Sequence, residues 1–126
     1  MYTVLPRILC VDDEPNVLDG IARNLRRNFT VVTATSGDAG LSILHNEGPF
    51  AAVVSDQRMP LMDGVTFLSR VRELSPDTVR ILLTGYADTA AIEAAVGPEA
   101  PVLRKPFRLE ELLTALGASL SRAARP

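Results

Sequence analysis

Four short apolar runs in this 126-residue chain each end on a residue able to handle a phosphoryl group. Ile8-Leu9-Cys10-Val11 leads into Asp12-Asp13, and Ala51-Ala52-Val53-Val54-Ser55 leads into Asp56. Ile81-Leu82-Leu83 ends on Thr84, and Val102-Leu103-Arg104 ends on Lys105. Continuous apolar runs of this length are the mark of parallel strands buried on both faces. In an open α/β sheet, ligands sit outside the carboxyl ends of the strands. Three carboxylates, a hydroxyl and an ammonium from distant parts of the chain would therefore meet at one edge.

Helical patterns separate the runs. Glu14-Pro15 follows Asp13 with an Asp at the cap position and Pro in the first turn, and Val17, Leu18, Ile21, Ala22 and Leu25 recur at helical spacing. Arg23, Arg26 and Arg27 fall on the opposite side, which reads as a solvated face. Phe29 to Ala34 is β-branched and reads as a strand. Thr35 or Ser36 then caps a second helix that Gly48-Pro49 stops. A third helix starts near Asp63-Gly64, with Val65, Phe67, Leu68, Val71 and Leu74 as its buried stripe, and Ser75-Pro76-Asp77 makes a turn. A fourth, alanine-rich helix starts near Asp88 and ends at Gly97-Pro98. The last carries Leu109, Leu112, Leu113, Leu116 and Leu120 on one face. Five β/α units predict a three-layer α/β sandwich in a single domain, 1–126, with a core of about 6–120 and a fraying tail at 121–126.

Composition excludes several classes. A net charge of −2 argues against direct nucleic-acid binding, which needs a basic face. No apolar stretch approaches the roughly 20 residues of a membrane span, and the first residues lack a signal peptide's pattern. The single Cys10 cannot form an internal disulfide, and within an apolar strand it reads as a small buried hydrophobe. These features predict a cytoplasmic domain. His45, the only histidine, falls on the second helix, away from the strand ends, and reads as a surface residue.

Asp12, Asp13 and Asp56 in one pocket would repel one another. Lys105 offsets one of their three charges, and one divalent cation would cancel the other two. Hard oxygen ligands of this number suit Mg²⁺, which takes one or two carboxylates plus phosphate. A carboxylate can then act as nucleophile and form an aspartyl phosphate. Asp56 is the best nucleophile because it stands alone at the end of the central strand, while Asp13 suits a direct metal ligand and Asp12 one acting through water. Thr84 is placed to donate its hydroxyl to a phosphate oxygen, and Gly85 to keep the approach clear. An Asp-Asp pair alone is most simply a helix cap, and a Lys-Pro a turn; their coincidence at four strand ends is what carries the functional reading.

The pieces Val11-Asp12-Asp13-Glu14, Ser55 through Gly64, Leu83-Thr84-Gly85-Tyr86 and Arg104-Lys105-Pro106-Phe107, in this order, resemble a response-regulator receiver domain of bacterial two-component signalling, of the chemotaxis-regulator kind. The resemblance implies a flavodoxin-like (βα)5 fold with sheet order 2-1-3-4-5. It implies that Asp56 takes a phosphoryl group from a sensor histidine kinase or a histidine phosphotransfer protein. Asp12, Asp13, Asp56 and the backbone carbonyl of Arg58 would bind Mg²⁺, and Thr84, Gly85, Lys105 and Gln57 would bind the phosphate. It further implies a cis Lys105-Pro106 bond, and relay through the fourth helix, fifth strand and fifth helix to a partner, a fused output domain or a second copy.

The chain departs from the family at Val102, three residues before the lysine, where most receivers carry a Tyr or Phe that swings inward. Valine has no ring to swing, so relay through Tyr86 or the loop after Thr84 is expected instead. Bulky Arg58 and Tyr86 border the site and are expected to slow loss of the phosphoryl group. Receivers with AAA+ ATPase or cyclic-di-GMP phosphodiesterase outputs have similar stretches around Asp56 and Thr84. A Mg²⁺-dependent phosphatase is the enzymatic alternative, but such enzymes carry a second acid where Arg58 stands. A flavin-binding flavodoxin is disfavoured by the acidic loop at Asp12-Asp13-Glu14, and a purely binding receiver by the full set of phosphorylation residues.

Overall fold

In the computed structural model, Ile8 and Cys10 turn to one face of the central sheet and Leu9 and Val11 to the other, and all four are buried. The model describes residues 4–85 and 89–124. The strands are β1 (Arg7–Val11), β2 (Thr30–Ala34), β3 (Ala52–Asp56), β4 (Val79–Thr84) and β5 (Val102–Arg104). The helices are α1 (Pro15–Leu25), α2 (Gly37–Glu47), α3 (Gly64–Leu74), α4 (Thr89–Val96) and α5 (Leu109–Ala123). The sheet is parallel throughout, in the order β2-β1-β3-β4-β5. This is the flavodoxin-like α/β sandwich expected of the resemblance.

Alternation along each strand divides the core into two layers. Leu9, Val53 and Leu82 pack on one face with Leu44 of α2, Phe67, Leu68 and Val71 of α3, and Val96 of α4. Ile8, Val54 and Ile81 pack on the other with Leu18 and Leu25 of α1 and Leu112 and Leu116 of α5. Each such side chain contributes roughly 1.5–3 kcal/mol when fully buried. Cys10 belongs to this core, and burial pushes its thiol up to about 12, so it behaves as the inert hydrophobe expected. No helix among the described residues is long and apolar enough to cross a membrane.

Helix starts follow local chemistry, with one correction. Ser36 Oγ accepts from the Ala39 amide at 3.1 Å to cap α2, and Asp63 Oδ1 accepts from Thr66 at 2.9 Å to cap α3. No aspartate caps α1: its N-cap is Glu14, whose side chain makes no capping bond, and Asp12 Oδ1 accepts the Glu14 amide at 2.9 Å instead. α5 extends to Ala123, three residues into the segment 121–126. The Gly48–Pro49 and Lys105–Pro106 bonds are cis, the second as the resemblance implied.

Gly64 is required by close approach. A Cβ there would collide with the Asp56 carbonyl oxygen, with Leu82 Cδ1 at 2.6 Å and with Gln57 Cα at 2.9 Å. The start of α3 is thus pressed against the end of β3 with no room for a methyl group.

The apolar run of β4 hides a buried arginine. Arg80 is 4% exposed, and its Nη1 donates to the Val96 carbonyl at 3.1 Å, where the dipole of α4 favours a cation. Its Nη2 pairs with Glu99 Oε1 at 2.8 Å, and Arg72 of α3 lies 3.6 Å from the same oxygen. Burial lowers the Arg80 pKa from its ordinary value, and Glu99 opposes that.

Two variants test these contacts. Gly64→Ala should cost about 1–3 kcal/mol in urea unfolding, as overpacking does, and a neutral result would contradict the close packing. Glu99→Ala should cost about 2 kcal/mol, because Arg80 stays buried with one fewer charged partner, and Glu99→Gln should cost less. Equal losses for the two Glu99 variants would show that the charge is immaterial.

Candidate functional site

The ladder bonds of the sheet run on into the site residues, so their backbones are held rigidly. The Asp12 amide donates to Ala34 O at 3.2 Å, the Gln57 amide to Leu83 O at 2.8 Å, and the Lys105 amide to Thr84 O at 2.7 Å. Asp56 is the last residue of β3 and Thr84 the last of β4. Asp12 and Lys105 directly follow β1 and β5. The four strand ends therefore converge as the sequence predicted.

Carboxylate oxygens of Asp12, Asp13 and Asp56 all lie within 4.8 Å of one another. Asp12 and Asp56 are buried and Asp13 is half-buried. Lys105 Nζ makes an ion pair with Asp56 Oδ1, and the Arg58 amide donates to Asp56 Oδ2 at 3.1 Å. Both oxygens of Asp56 are thereby oriented. Asp13, Glu14, Asp56, Arg58, Gly85 and Lys105 line an open cleft of about 280 Å³. A larger hollow of about 530 Å³ lies among Thr78, Arg80, Ser119 and Arg122, near the start of β4, and shares no residue with this cleft.

Asp12 is the electrostatically unbalanced member. Its Oδ1 is bonded to the Glu14 amide, but its Oδ2 is buried with no hydrogen-bond partner among the described residues. Burial raises its pKa above 3.8; the charges of Asp56 and Asp13 push the same way, while the Glu14 amide and Lys105 oppose. Among the described residues the three clustered carboxylates face the Lys105 ammonium, with Arg58 also lining the cleft, and an orphaned oxygen among hard donors fits a divalent cation.

Other predicted residues fare differently. Gln57 does not face the cleft: its Oε1 accepts the Val65 amide at 2.8 Å and its Nε2 lies 3.5 Å from Asp63 Oδ2. In place of the expected phosphate contact, its side chain bonds the first turn of α3, and it is not among the residues that line the cleft. Thr84 is buried at the end of β4, and Gly85 beside it lines the cleft. A Cβ on Gly85 would meet nothing within 4 Å, so glycine there is not required by packing against the protein. Val102 is half-buried, pairs in register with Leu82, and packs on the face that carries α3 and α4. Tyr86 lies outside the described residues.

Sequence reasoning missed the Arg58 amide, since a backbone donor leaves no mark on residue type. It also missed how the loop after Asp56 is built. Met59 and Met62 are buried anchors, and Leu61 between them is fully exposed at φ 69°. The Met62 amide reaches back to Pro60 O at 2.7 Å, closing a three-residue turn that is strained for a non-glycine residue. Pro60 was the available signal for that turn.

Comparison with known proteins agrees with this geometry. The response regulator receiver domain family matches residues 8–117. The hydrogenase transcriptional regulatory protein HoxA of Cupriavidus necator is 42% identical over 71% of this chain and 18% of its own length. The transcriptional regulatory protein PrrA of Mycobacterium tuberculosis is 36% identical over 93% of this chain and 51% of its own. The signal receiver domain of an HD domain-containing protein from Pseudomonas fluorescens Pf-5 superposes with a TM-score of 0.85, at 34% identity, covering 94% of this chain and 97% of that one. This chain thus spans about half or less of the length of these two curated relatives, and nearly all of the solved receiver. With the family matched over most of its length and the acidic cluster, threonine and lysine at the four strand ends, the chain belongs to the response-regulator receiver domains of two-component signalling.

Proposed function

We propose that Asp56 accepts a phosphoryl group from a phosphohistidine of a partner kinase or phosphotransfer protein. The observation that carries this reading is the double restraint on Asp56, by Lys105 on Oδ1 and by the Arg58 amide on Oδ2, at the mouth of the cleft. An Asp56 oxygen attacks phosphorus, the new P–O bond forms as the P–N bond breaks, and the imidazole nitrogen keeps the electron pair and takes up a proton. Such transfer asks the protein mainly for position and for stabilisation of the equatorial oxygens. Lys105 supplies a cation and the Arg58 amide a donor close to the reacting carboxylate.

Asp12, Asp13, Asp56 and the carbonyl of Arg58 would hold Mg²⁺, which when bound neutralises charge on the phosphoryl oxygens and on the cluster. The unpartnered Asp12 Oδ2 supports that assignment. Thr84, buried at the end of β4, then carries the change towards α4, β5 and α5. Val102 offers no aromatic rotamer for that relay, which falls to the segment after Thr84. Arg58, exposed at the cleft mouth, slows hydrolysis of the acyl phosphate by hindering water. Ala90, Ala91, Ala94 and Ala95 are exposed along α4, a face that admits a close partner helix, including one from a second copy. The relatives named as transcriptional regulators suggest a receiver that governs a fused or separate output. A phosphatase is disfavoured because Arg58 stands where its second acid would be.

Intact mass after incubation with acetyl phosphate tests the proposal. One phosphoryl adduct per chain is expected with Mg²⁺, falling at least tenfold without it and absent in Asp56→Asn. An adduct of equal yield in Asp56→Asn would overturn the assignment of the acceptor.

A further inference from the structure

Gln57 follows Asp56 directly, yet its polar atoms serve a different element. Its amide continues the sheet to Leu83 O at 2.8 Å, and its carbonyl accepts the Gly64 amide at 2.9 Å. Its side chain Oε1 accepts the Val65 amide at 2.8 Å. One residue thus ties β4, the end of β3 and the first turn of α3 together. Asp63 already caps α3 through Thr66, so Gln57 satisfies a second of the orphan amides there.

The segment 58–63 closed by this tie carries one of the groups that contact Asp56. The Arg58 amide donates to Asp56 Oδ2 at 3.1 Å, and the missing Cβ of Gly64 lets α3 press on the Asp56 carbonyl. We infer that Gln57 is a positioning residue: its side chain locks the loop after β3 so that the Arg58 backbone is aimed at the Asp56 carboxylate and at the cation held there. This inference rests on the reading of Asp56 as phosphoacceptor and extends it to a residue that touches neither phosphate nor metal. Groups that orient first ligands typically change metal affinity 10- to 100-fold when removed.

Asp63→Ala is the control, because it removes the Thr66 cap of the same helix and the longer 3.5 Å contact to Gln57 Nε2 but leaves the 2.8 Å Gln57–Val65 bond in place. In metal-free protein, amide exchange at Arg58 should quicken about fivefold to tenfold in Gln57→Ala and stay near wild type in Asp63→Ala. By calorimetry at 0.15 M salt, Mg²⁺ affinity should fall about tenfold in Gln57→Ala and less than twofold in Asp63→Ala. Equal effects of the two substitutions, with thermal midpoints lowered alike, would reduce Gln57 to a helix cap and overturn the inference. Wild-type protein that binds no Mg²⁺ would sink the metal reading by itself, while Arg58 exchange would still decide whether Gln57 locks the loop.

Discussion

Three carboxylates crowd within 4.8 Å at one edge of the sheet, and the scaffold exists to hold them there against their repulsion. A single ammonium, Lys105, pairs with one of them. What keeps the cluster from dispersing is the continuity of backbone bonds from the strands into Asp12, Gln57 and Lys105. Those strands are in turn fixed by two apolar layers, one under α2, α3 and α4 and one under α1 and α5. The strain in the site is a local cost that the buried sheet offsets.

The two ends of β4 divide the labour. Thr84 closes its carboxyl end beside the carboxylates, and Arg80 near its start binds the last carbonyl of α4 and Glu99. The C-terminal end of α4 is therefore tied to the sheet and, through Arg72 and Glu99, to α3. Val102 packs an aliphatic side chain into this same layer, so the relay proposed from Thr84 has no ring to turn at that position.

Much of this was legible in the sequence because parallel strands buried on both faces leave continuous apolar runs, and the residue after each run is forced to the sheet edge. Ser36 and Asp63 were readable as caps because their side chains bond amides three residues on. The start of α1 was not, since two adjacent aspartates competed for the role and the protein uses Asp12 from outside the helix to hold Glu14. Gln57 was misassigned because adjacency to Asp56 says nothing of direction; its partner, Val65, lies on the next helix. Arg80 went unnoticed because its partners lie 16 and 19 residues away, so no local pattern announces a buried guanidinium. Backbone donors such as the Arg58 amide are invisible to residue type altogether.

The charge imbalance is the central claim, and thermal melting with and without Mg²⁺ across pH 4 to 8 tests it most directly, at ionic strength matched with NaCl. Because the folded-state pKa of Asp12 is raised, its contribution to the stability of the metal-free protein should fall as pH rises through 3.8 towards that higher value, and the penalty should persist above it. Mg²⁺ at about 100 times its dissociation constant should add roughly 2.7 kcal/mol near neutral pH. That gain should shrink towards pH 4 as protons compete for the same oxygens. Melting curves that coincide with and without Mg²⁺ at every pH would contradict the account.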